Sequence, residues 1–97
     1  MEPNYVVYVA GSTTYNWTKV GITGDIDTRY QSLQSSVPFQ LSLYHVFEAD
    51  GLAHARFIEK AVLEHFCLYR TSGEWLADAD TPAIMKQILI AAKEYGC

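Results

Sequence analysis

The chain has 97 residues, 49% of them hydrophobic and 19% charged, and its formal net charge is −4. That length supports one domain with a usable core, taken as residues 1–97, and the acidic balance excludes general electrostatic attraction to nucleic acid, so any phosphate contact has to be local. The longest apolar stretch, AIMKQILIAA, is broken by Lys86 and Gln87, and the MEPNYVVYV start lacks the basic opening of a signal peptide; a cytoplasmic protein without membrane contact is expected.

Tyr5 to Ala10, YVVYVA, is a short β-branched and aromatic run that reads as a buried strand ending at Gly11 and Ser12. GSTTYNW reads as the turn, and Thr18 to Ile22, TKVGI, as the returning strand of a hairpin. In that strand Lys19 has the parity opposite to Val20 and Ile22 and so points to the other face. Asp25 caps a helix in which Ile26, Tyr30 and Leu33 recur at helical spacing, and the residue before Pro38 stops it. FQLSLYHVF alternates as a third strand with Phe39, Leu41, Leu43 and His45 on one parity.

Asp50 is expected to cap a second helix, GLAHARFIEKAVLEHF, with Leu52, Ala55, Val62, Leu63 and Phe66 as its apolar stripe. CLYRTSGEWLADAD reads as a loop. Thr81 and Pro82 open a third helix with Ile84, Met85, Ile88, Ala91, Ala92 and Tyr95 inward and Gly96 at its exit. The expected fold is therefore α+β, a small three-stranded antiparallel sheet flanked by helices. Cys67 and Cys97 form no CxxC pair and no zinc spacing with histidine, so both are expected as reduced thiols.

Four residues break the core pattern. On a helical wheel Glu59 falls near the centre of the second helix's stripe, where a carboxylate needs a cation, a metal ion, strong hydrogen bonds or a cleft. An ion pair, with Arg29 for instance, or a slight rotation of the helix toward water would answer the same need. Arg29 borders the buried face of the first helix, a place where an arginine also serves by laying its alkyl stem over the core. Lys19 would be an ordinary edge residue and Tyr8 an ordinary core aromatic if each stood alone. Taken together they offer proton transfer, phosphate neutralisation and a ligand for a hard divalent ion, the three requirements of phosphodiester hydrolysis.

This ordered set resembles the GIY-YIG nuclease superfamily, most closely a small phage and bacterial branch whose second motif begins with lysine. VVY, Val6 to Tyr8, stands at the first motif and KVGIT, Lys19 to Thr23, at the second. Arg29 keeps the offset of the family's arginine, EKAVLEHF presents Glu59 as its metal-binding glutamate, and Arg70 with GEWL matches the closing motif. The similarity runs from Tyr5 to Leu76. It departs from the wider family where the second motif's tyrosine is Lys19 and where a histidine one turn beyond the arginine is Leu33.

The resemblance implies a metal-dependent endonuclease acting on nucleic acid, taken as DNA, with Tyr8, Lys19, Arg29 and Glu59 catalytic and Glu59 holding Mg²⁺ or Mn²⁺. Gly21, Thr23, His54, Arg70 and Glu74 are supporting positions. Tyr8 activates water with Lys19 supplying positive charge, or a desolvated Lys19 is itself the base; both readings stand at this level. Cutting two strands implies a homodimer or sequential nicking. The competing reading is a catalytically idle nuclease-like module that binds a host or defence protein.

Overall fold

The computed structural model describes residues 5–12, 14, 17–71 and 75–95. Strands β1 (Val6–Ser12) and β2 (Trp17–Thr23) form the expected hairpin, with Tyr8 opposite Gly21 and Ala10 opposite Lys19. Helix α1 (Ile26–Ser36), strand β3 (Ser42–Glu48) and helix α2 (Leu52–His65) follow. A short 3₁₀ turn at Cys67–Tyr69, strand β4 (Trp75–Ala77) and helix α3 (Thr81–Glu94) complete the described chain. The sheet is antiparallel in the order β3-β1-β2-β4.

The sheet thus has four strands where three were expected. The fourth, inside GEWLADAD, is only three residues long, too short for alternation to announce it; its pairing with β2 defines it, Thr18 against Leu76 and Lys19 against Trp75. Glu74 lies outside the described residues.

Strand alternation splits the interior into two layers. Val7, Val9 and Val20 face α2 and α3, where they pack with Ala55, Ile58, Val62, Ile84 and Ile88 in the larger core. Tyr8 and Ala10 point the other way and pack with Leu33 of α1 and with Leu41. The hydrophobic effect therefore holds the sheet from both sides, with most of the fully buried aliphatic volume on the α2–α3 side.

Three local expectations need correction. In β3, Leu43 is exposed, because a bulge opposite Val9 and Ala10 inserts Tyr44 and breaks the single parity assumed for Phe39 to His45. The N-cap of α2 is Gly51, at φ 139°, and Asp50 instead donates its backbone N–H to His54 Nδ1 at 2.9 Å. The cap of α3 is Asp80, whose carboxylate accepts from the Ala83 N–H at 3.2 Å, one residue before the expected Thr81. On α3, Tyr95 is largely exposed, and Gly96 lies outside the described residues.

Candidate functional site

The face of the sheet turned toward α1 carries, along β2, Trp17, Lys19 and Gly21 on one parity. Across from Gly21 on β1 stands Tyr8, only 1% exposed. Its ring lies over the glycine: a Cβ at Gly21 would collide with the Tyr8 hydroxyl and ring carbons. Gly21 is thus there to admit the Tyr8 side chain, a closer neighbour than the backbone or substrate approach expected of it.

Arg29 meets that ring from α1. Its Nε donates to the Tyr8 hydroxyl oxygen at 3.2 Å, linking two residues 21 positions apart. The hydrogen bond orients the phenol and sets a permanent cation beside its oxygen. Two of the four residues singled out by sequence are therefore in direct contact.

Helix α1 is fixed at both ends, and this fixes Arg29. The Asp25 carboxylate accepts from the Thr28 N–H at 3.2 Å and from the Thr28 hydroxyl at 2.9 Å, while the Arg29 N–H makes the first helical bond to Asp25 O at 3.0 Å. The Thr28 backbone bond, then its hydroxyl, holds the Asp25 carboxyl below its ordinary value. Thr23 exchanges hydrogen bonds with the Asp25 backbone, tying the end of β2 to the cap. Farther along, Tyr30 donates to Leu41 O at 2.6 Å, and the Gln34 amide brackets the next loop through Phe39 O and the Leu41 N–H, both at 2.8 Å.

Lys19 is 8% exposed and has its Nζ 5.5 Å from the centroid of the Trp75 ring, its cross-strand neighbour. This is a cation–π contact, and it places the ammonium on the same face as Tyr8 and Arg29. Beyond Trp75, Phe39 contacts both tryptophans edge-on, with centroids 5.9 Å from Trp17 and 6.3 Å from Trp75. These three rings, with Val37, Pro38 and Thr71, line a cavity of about 370 Å³.

Glu59 is half-buried on α2, a helix that packs against β1 and β2. It lies on the margin of that helix's buried stripe, whose centre is taken by Ile58, fully enclosed between Ala55 and Val62. The buried face of the helix is turned by roughly half a residue, on the order of 50°, from the stripe expected of it, so the carboxylate escapes the sealed interior. His54 is committed elsewhere: Nδ1 accepts from the Asp50 N–H, which leaves Nε2 to donate to Ala92 O at 3.2 Å and join α2 to α3. Arg70 is exposed and bridges Leu76 beside β4. Among the described residues no three His, Cys, Asp or Glu side chains gather as metal ligands.

The family model of the T5orf172 domain matches residues 5–91, a span that takes in all four strands, α1, α2 and most of α3. The chain belongs to the T5orf172 domain family. That family is phage-associated and nuclease-like, which agrees with the resemblance at the coarser level. No curated protein and no solved structure matches the chain.

In this T5orf172 domain the aromatic wall was the part that sequence reasoning missed. Trp17 was placed in the turn and Trp75 in a loop, whereas they lie on adjacent paired strands. The signal was present in the parity shared by Trp17, Lys19 and Gly21, once β2 is extended one residue toward its start. No helix among the described residues is long and apolar enough to cross a membrane.

Proposed function

We propose that this domain hydrolyses phosphodiester bonds of nucleic acid, most simply of DNA, at a centre formed by Tyr8, Lys19, Arg29 and Glu59. The observation that carries the reading is the 3.2 Å hydrogen bond from Arg29 Nε to the Tyr8 hydroxyl, made possible by the missing side chain at Gly21. A buried phenol needs a hydrogen-bond partner in any case, but here that partner also sets a permanent cation beside the oxygen, which a proton-transfer role requires.

In this reading the Arg29 guanidinium spends Nε on Tyr8 and uses its terminal amino groups to neutralise charge on the phosphoryl oxygens. In its phenolate form, with the arginine cation beside the oxygen, Tyr8 would take the proton of the attacking water and become the neutral phenol. Lys19, held over Trp75, adds a second positive charge on the same face; in the competing reading it is the neutral amine and itself takes the proton. Glu59 fits Mg²⁺ or Mn²⁺ as a lone hard oxygen donor, the arrangement in which such ions keep several waters and complete their shell with substrate phosphate. When bound, the ion would supply Lewis-acid stabilisation of the phosphate and leaving group.

The test is nicking of a labelled DNA substrate in Mg²⁺ and in Mn²⁺ by wild type, Arg29→Ala, Tyr8→Phe and Glu59→Gln. Loss of one charge-stabilising donor should lower the rate by about 10²–10³-fold with the circular dichroism spectrum unchanged. Equal nicking by all four proteins would remove these residues from the chemistry. The rival, an idle module that binds a host or defence protein, draws support from the formal net charge of −4. Capture of one defined partner by wild type and Glu59→Gln alike, with neither protein cutting DNA, would decide for it.

A further inference from the structure

We infer that the cavity between Trp17, Phe39 and Trp75 is a binding site for an unpaired nucleobase, so that the substrate is single-stranded or locally unstacked beside the cleaved phosphate. This rests on the nuclease reading for the position of the phosphate, and it adds the class of substrate. Three features point to a base as the occupant.

The first is chemistry. The cavity, about 370 Å³, is lined by three aromatic rings with Val37, Pro38 and Thr71, a wall on which any base can stack because every base has a π face. Trp17 is 46% exposed and Phe39 half-buried, so the wall is open to solvent. The second is charge. Lys19 Nζ stands over the Trp75 ring, 5.5 Å from its centroid, and supplies the cation that a nucleotide carries a phosphate to meet.

The third is spacing. Trp17, Lys19 and Gly21 share one face of β2, so aromatic wall, ammonium and the Tyr8–Arg29 pair follow one another at about 7 Å per step, two strand residues each. Trp17 is the exposed end of that row while Lys19 and Gly21 are buried, so one nucleotide enters at Trp17, its base in the cavity and its phosphate toward the Lys19 ammonium. Paired bases inside a duplex cannot enter the cavity. With the chain carrying a net negative charge, such stacking provides affinity that long-range attraction does not.

Binding is read with the full chain in EDTA, so that cutting does not intervene, by fluorescence anisotropy of a labelled 12-nucleotide thymidine strand, the same strand carrying abasic sites, and a duplex of equal length. Wild type should bind the thymidine strand more tightly than the abasic strand or the duplex, by about 5- to 150-fold per stacked base. Trp17→Ala should erase that preference, and Trp17→Phe should keep most of it. Equal affinity of wild type for thymidine and abasic strands overturns the proposal without reliance on any variant. Arg29→Ala separates the two readings. If it weakens both strands while the thymidine preference persists, cavity and phosphate site both stand. If it changes nothing while Trp17→Ala still erases the preference, the cavity stands and the phosphate site at Arg29 falls.

Discussion

A single missing methyl group makes room for the Tyr8–Arg29 pair. At Gly21 the Tyr8 ring occupies the space a Cβ would take, and Tyr8, 1% exposed, is enclosed too tightly to swing aside. Gly21→Ala should therefore overpack this layer at a cost of about 1–3 kcal/mol and pull the phenol off Arg29. Denaturant unfolding measures the loss. In a Tyr8→Ala background the same substitution should cost little, because its collision partner is gone; an undiminished cost would mean that the strain lies in the β2 backbone instead. The sequence placed a glycine opposite parity to Val20 but could not show its neighbour, since register between β1 and β2 is a property of pairing.

At the scale of the element, α1 carries Arg29, and its first turn depends on one carboxylate. The Thr28 N–H and then the Thr28 hydroxyl hold the Asp25 pKa below its ordinary value of 3.8. A carboxyl lowered on folding contributes stability that is fully present above the unfolded value and is lost as pH falls through the folded one. The start of α1 should stay protected through the ordinary carboxylate range and fray only below it. Asp25→Asn should keep the cap while removing this pH dependence, whereas Asp25→Ala should loosen Thr28 and Arg29 at neutral pH, as read by NMR of their amides. If Asp25→Asn frays with the same pH profile as wild type, another group controls the turn. This cap was legible because Asp25 directly precedes the periodic run from Ile26. The cap of α2 was not, because Gly51 reaches its left-handed φ of 139° without any side-chain signal. Glu59 lies less deep than its wheel implies because a stripe drawn with Leu52, and without the buried His54 and Ile58, is turned toward the carboxylate.

For the whole molecule, the three-layer arrangement separates most of what holds the domain together from most of what would act, Glu59 on α2 being the exception. Ile58, Val62, Ile84 and Ile88, each 0% exposed, fill the α2–α3 side, while Tyr8, Lys19, Arg29 and the aromatic cavity belong to the α1 side. Ile88→Ala should cost about 2–5 kcal/mol, a large share of the roughly 5–15 kcal/mol that stabilises an ordinary domain. Tyr8→Phe removes only a hydroxyl whose partner, Arg29, is half-buried and able to turn to water, so its stability cost should be much smaller. Because the sheet lies between them, the two changes should add to within about 0.5 kcal/mol in the double variant, with the urea m-value unchanged. A larger coupling would show that the β1 backbone transmits packing from one face to the other. Additivity would instead mean that the α1 face can exchange its reactive side chains while the α2–α3 core keeps the domain folded.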